Sequence, residues 1–76
     1  MEELIEFVAK SLVDDAGAVN THAYNRGDQT VIELEVAQDD LGKVIGRQGR
    51  TARAMRTLLS AAGQKTRRRY TLDIVD

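Results

Sequence analysis

The sequence predicts an α+β fold with the element order αββααβ, in which a three-stranded mixed sheet carries three helices packed on one face. Three observations carry this reading. An amphipathic stretch opens the chain, two extended runs joined by a tight-turn signal follow, and a helix–turn–helix around Gly46 and Gly49 leads into a closing extended run. Each extended run has only one clearly apolar side, so placing all helices on that side is the economical way to bury it.

Residues 2–13 place Leu4, Ile5, Val8 and Leu12 on one broad helical face, with Glu2, Glu3, Glu6 and Lys10 mostly around it, the pattern of an amphipathic helix. This face, Phe7 included, is read as core, with a partner surface over part of it as the alternative. Asp14 and Asp15 sit badly against the negative end of a helix, and Gly17 can take the left-handed conformation that closes one, so the helix is expected to stop near residue 14. Val19–Asn25 is a strand of modest quality, with Val19, Thr21 and Ala23 on one side and Asn20, His22 and Tyr24 on the other. Asn25-Arg26-Gly27-Asp28 is a turn signal. Thr30–Ala37 is the strongest strand, Ile32, Leu34 and Val36 alternating with Val31, Glu33 and Glu35, and the two runs make a hairpin.

Asp39 or Asp40 is placed to cap a short helix ahead of Gly46. Beyond Gly49, Met55, Leu58, Leu59 and Ala62 cluster at about 100° per residue, with Arg50, Arg53 and Arg56 opposite. One face packs; the other is a ladder of guanidinium groups. Gly63 is expected to end this helix, Gln64-Lys65-Thr66 to connect, and Arg67–Val75 to form the last strand, where Tyr70, Leu72 and Ile74 alternate with Arg69, Thr71 and Asp73. That alternation turns Arg68 away from its two neighbours, leaving at most a partial basic patch. A helical crossover joins the second and third strands, which are therefore expected to be parallel, while the hairpin pair is antiparallel.

The 76 residues read as one domain, 1–76, near the lower size limit for a chain that buries its own core. There is no cysteine and His22 is the single histidine, so neither disulfides nor a metal cluster is expected, and no cofactor. No apolar run approaches the roughly 20 residues of a membrane span, and the acidic start Met1-Glu2-Glu3 is unlike a signal peptide. A cytoplasmic protein with no membrane association is the expectation. An enzyme is disfavoured: no cysteine nucleophile exists, His22 lacks an evident base nearby in sequence, and no glycine-rich stretch runs into Lys-Ser or Lys-Thr.

The net charge of −1 conceals two electrically opposite halves. Residues 1–42 hold ten acids and two bases, whereas Lys43 to Arg69 hold nine bases and no acid. With a Debye length of about 8 Å at physiological salt, a ligand on the basic half scarcely feels the distant acids. In the segment Gly42-Lys43-Val44-Ile45-Gly46-Arg47-Gln48-Gly49-Arg50-Thr51-Ala52 the glycines permit a tight turn and close backbone approach. The helix after the turn directs its positive end into it, and Arg47 and Arg50 add formal charge. A phosphodiester backbone is the natural guest.

With this element order, and with Val44-Ile45-Gly46-Arg47-Gln48-Gly49 between the paired helices, the chain resembles a KH domain of type II. The extended string from Gly42 to Ala52, in a chain consisting of one such domain, is similar to the KhpA family of small bacterial RNA-binding proteins. Arg47-Gln48 in place of the frequent Lys-Gly, and Ala52 where isoleucine is usual, depart from the generic KH pattern but fit that family. The resemblance implies a groove for about four nucleotides of single-stranded RNA. Gly46 and Gly49 would meet the sugar-phosphate backbone, Arg47 and Gln48 would face phosphates flanked by Lys43 and Arg50, and Val44, Ile45 and the second strand would floor the groove. It further implies a KhpB (Jag-like) KH partner, a chaperone role, and a link to cell elongation, cell shape and peptidoglycan homeostasis. The rival reading is a protein-interaction module in which KH–KH dimerisation, as a homodimer or with that partner, uses the same surface with little RNA affinity.

Overall fold

The computed structural model describes residues 1–75. Its sheet forms around the run of strictest alternation, β2 (Gln29–Glu35), which lies between β1 (Asn20–Arg26) and β3 (Arg69–Val75). β1 and β2 are antiparallel and β2 and β3 parallel, so the hairpin and the crossover are both as expected. Three helices complete the αββααβ order: α1 (Glu2–Leu12), α2 (Leu41–Ile45) and α3 (Arg50–Thr66), with short 3₁₀ turns at Ala16–Ala18 and Gln38–Asp40 and a tight non-helical turn at Arg47–Gly49.

Register sorts the two sheet faces. Thr21, Leu34 and Ile74 form one row and Ala23, Ile32 and Leu72 the next. Onto these pack Ile5 and Ala9 of α1, Val44 of α2, and Met55 and Leu59 of α3, making one core with all three helices on one side. The opposite face carries His22, Glu33 and Asp73 in one row and Tyr24, Val31 and Thr71 in another. Val31, expected on the solvent side, is nevertheless buried, because it lies on the central strand with Tyr24 and Thr71 beside it on the two flanking ones.

Several expectations about element ends and faces are corrected. Gly17 does not close α1. The helix stops at Leu12 because Val13 turns extended (φ −92°, ψ 160°), its N–H still reaching the Ala9 carbonyl. Gly63 does not end α3 but lies buried within it, and the helix continues to Thr66. A Cβ on Gly63 would sit 2.2 Å from the Arg68 carbonyl oxygen, so glycine is present to let the returning chain pass. The longer helix delays β3 to Arg69. On α3 the packed face is Ala52, Met55, Leu59 and Gly63, while Leu58 stays 48% exposed. On α1 only Ile5 and Ala9 are buried, and Phe7 is 70% exposed. Helical periodicity selected the correct half of each cylinder, but the packed stripe is narrower than the apolar arc.

Candidate nucleic-acid interface

The turn between α2 and α3 is built by three positive-φ residues within four. Gly46 ends α2, its N–H bonded to the Gly42 carbonyl at 2.8 Å. Its φ of 79° and ψ of 171° belong to glycine alone, and a Cβ there would lie 2.3 Å from Thr51 Oγ1 and 2.8 Å from Thr51 N. Gly46 is thus required twice, for conformation and for room. Gly49 (φ 74°, ψ 16°) is left-handed, but the space beside it is open. Gln48 (φ 56°, ψ 27°) is left-handed without glycine's freedom. Gly49 N–H returns to the Gly46 carbonyl at 3.1 Å, closing the turn. No side chain caps the start of the 17-residue α3, so the positive end of its dipole meets the turn uncompensated.

The residues expected to form the site separate into three groups. Gly46, Arg47, Gln48, Gly49 and Arg50 are the turn itself, and Arg47, Gln48 and Arg50 are exposed. Among the described residues no carboxylate lies within ion-pair distance of Arg47 or Arg50, whose charges face solvent. Ile45, 40% exposed, borders the turn. Val44 is fully buried in the core, where it holds α2 in place, so of the two residues expected to floor a groove only Ile45 reaches the surface.

Lys43 forms the third group. Its ammonium donates to Asp14 and, at 3.3 Å, to Asp40 Oδ1. Asp40 is only 3% exposed, and its Oδ2 accepts the Asp15 N–H at 3.1 Å. Asp40 stands at the start of α2 but caps nothing there. Its carboxylate instead ties α2 to the segment following α1. The Asp15 N–H, aided by the Asp14 N–H and Lys43 and opposed by burial, holds the Asp40 carboxyl below its ordinary range. Hydrogen bonds to Asp14 and Asp40 raise the Lys43 ammonium above its own. The positive charge of Lys43 is therefore matched by two carboxylates. Local patterns could not reveal this, since Asp14 and Lys43 are 29 residues apart.

A second basic feature lies at the far end of α3. Arg67 leaves the helix left-handed (φ 57°, ψ 38°), and Arg68 N–H bonds the Gly63 carbonyl at 2.8 Å. Arg67, Arg68 and Arg69 border one cleft of about 480 Å³. The expected split of these three by strand alternation fails because Arg67 and Arg68 precede β3. On the open sheet face, the His22 and Tyr24 rings lie 6.0 Å apart, tilted by 32°, and Arg26 donates to the Tyr24 hydroxyl at 2.9 Å. No helix among the described residues is long and apolar enough to cross a membrane.

Residues 2–74 match the family model described as KhpA/KhpB, KH domain. The chain is 53% identical over 74 residues to the RNA-binding protein KhpA of Borreliella burgdorferi, covering 97% of this chain and 90% of the relative. It is 47% identical over 76 residues to the RNA-binding protein KhpA of Halalkalibacterium halodurans, covering 100% of both. The RNA-binding protein KhpA of Treponema pallidum is 47% identical over 75 residues, covering 99% of this chain and 94% of the relative. No solved structure matches the chain. The match to almost every residue, the type II element order and the glycine turn between α2 and α3 agree: the chain belongs to the KhpA/KhpB family of KH-domain RNA-binding proteins.

Proposed function

We propose that this protein binds single-stranded RNA through the Gly46–Gly49 turn, without catalysis. The observation that carries the reading is the turn's composition: backbone-exposing glycines, the uncapped positive end of α3, and two arginines with no carboxylate partner among the described residues. Phosphates would lie against Gly46 and Gly49, with Arg47 and Arg50 neutralising them and Gln48 hydrogen-bonding beside them, while Ile45 meets a base. Lys43 would enter only by giving up Asp14 or Asp40. The salt response separates these cases. Two phosphate contacts weaken binding about 2.6-fold from 50 to 100 mM salt, and three about 4.3-fold. The lower value is expected.

The test is anisotropy of a short labelled RNA titrated with native protein and with Arg47→Asp/Gln48→Asp, which leaves both glycines and the core intact. The variant is expected to lose at least about tenfold in affinity. Unchanged affinity would remove the turn from the RNA site.

Docking of another KH chain is the second reading, favoured by Phe7 and Leu58, large apolar side chains left exposed on α1 and α3. It provides for a homodimer or for a KhpB-like partner, and it is compatible with RNA binding because paired domains add avidity. The wider role in this proposal is cytoplasmic RNA regulation, including a chaperone role, linked to cell elongation, cell shape and peptidoglycan homeostasis. Sedimentation of the native protein and of Phe7→Ser/Leu58→Ser, with and without RNA, separates the two readings. Native protein that self-associates tightly but leaves RNA unbound would make docking the chief function.

A further inference from the structure

Positive charge on this chain does not stop at the glycine turn. At about 100° per residue, Arg50, Arg53, Arg56, Ser60 and Gln64 fall within one broad stripe along α3, and Arg67 follows at the end of the helix. The stripe runs from the turn to the cleft at the other end of the helix, about 25 Å away over 17 residues. Arg56 reaches from it to the edge strand, donating to the Leu72 carbonyl at 3.4 Å, so the stripe borders β3. Between Lys43 and Arg69 the chain has no acid to interrupt it.

The cleft has the chemistry of an anion site. Gln64, Arg67, Arg68, Arg69 and Tyr70 line it. Among the described residues only Arg69 has a carboxylate close by, Asp28 at 3.9 Å, with both side chains exposed; Arg67 and Arg68 have none. Three arginines on one cleft with a single exposed carboxylate nearby give it a positive field that attracts an anion. Arg67 also occupies a left-handed position (φ 57°) where glycine would be unstrained. Strain kept in place of an easy alternative points to a use for the side chain. The half-buried Tyr70 ring beside the arginines offers a face or edge to a nucleobase.

We propose that this cleft is a second phosphate-binding subsite, which holds the backbone of a single-stranded RNA continuing from the glycine turn along the arginine stripe of α3. The inference rests on the RNA-binding reading of the turn. An oligonucleotide of about four residues fills the turn alone, whereas a longer strand is held at both ends of α3, and the second attachment forms at the high effective concentration set by the first.

The test compares native protein with Arg67→Gly/Arg68→Gln, in which glycine suits the left-handed turn and the Arg68 N–H bond to Gly63 is retained. Oligonucleotides of about four and about twelve residues are titrated by anisotropy across a salt series. The short one is expected to bind both proteins equally. The long one is expected to bind the variant more weakly, by about fivefold at 0.1 M salt for each phosphate no longer neutralised, with a salt slope shallower by about 0.7 for each. Equal binding of the long oligonucleotide would overturn the proposal. If native protein binds neither oligonucleotide, the reading of the turn fails on its own, and pyrophosphate titration followed by amide NMR judges the cleft. Saturable shifts at Gln64–Tyr70 in native protein, absent from the variant, would support an anion subsite while transferring it from RNA to free phosphate compounds. No shifts would overturn it altogether.

Discussion

The two ends of α3 both pass through left-handed backbone, and they meet that demand with different residues. At the start, Gly46 and Gly49 flank Gln48; at the end, Arg67 makes the turn itself. Space decides the difference. A side chain at Gly46 would run into Thr51, so glycine there is obligatory. At the far end the crowded position is Gly63, one turn earlier, where the Arg68 carbonyl passes within van der Waals reach of the helix. Each end therefore has one glycine that makes room for another backbone. Gly49 is left-handed too, in open space, and the other two left-handed positions carry exposed polar or charged side chains, Gln48 and Arg67. Strain is accepted at both ends where a side chain can be used.

Gly46→Ala is the largest expected break in this comparison. It adds an excluded φ to a steric clash, and is expected to cost about 3 kcal/mol, read as a fall in the urea midpoint. Gly49→Ala, left-handed but in open space, should cost only about 1 kcal/mol. Equal losses at the two glycines would show that φ alone matters and that the Thr51 clash does not. Gly63→Ala comes next. In an open helix this change is stabilising by up to about 1 kcal/mol, and Gly42→Ala, with nothing within 4 Å, is expected to behave so. At Gly63 the sign should reverse to a loss of about 1–3 kcal/mol, a drop of several degrees or more in Tm. A gain at Gly63 would mean that the turn after α3 moves aside readily.

The smallest expected effect concerns what steadies the first end of α3, the link from α2 to the segment after α1. Asp40 has a folded-state pKa below its ordinary value of 3.8, so its contribution to stability is complete above that pH and fades as pH falls below it. Lys43 is raised above 10.5, so its contribution is complete below that pH and fades as pH rises through the folded value. Asp40→Asn should flatten the acid limb of the urea midpoint measured from about pH 2 to 6. An unchanged acid limb would show that other carboxylates set it. At neutral pH the same variant is expected to disturb stability more than RNA affinity, since Asp40 is buried and absent from the turn.

Much of this molecule can be read from local pattern. The αββααβ order, the hairpin, the parallel crossover and the glycine turn follow from alternation, helical periodicity and spacing, each legible over a few residues. The departures share another cause. Gly63 reads as a helix stop until the Arg68 carbonyl is seen beside it. Leu58 and Phe7 read as core, although only the residues at the centre of each packed stripe reach the sheet. Arg67–Arg69 read as a strand's alternating charges until the longer helix places two of them in a turn. Lys43 reads as a free cation until Asp14 and Asp40 arrive from distant parts of the chain. The amino-acid sequence by itself determined which elements form and where the glycine turn with its flanking arginines lies, because those depend on backbone preference and periodicity among near neighbours. Only the tertiary structure decided which charges remain free to meet a ligand and which glycines make room for another strand, because both depend on what the folded chain brings together.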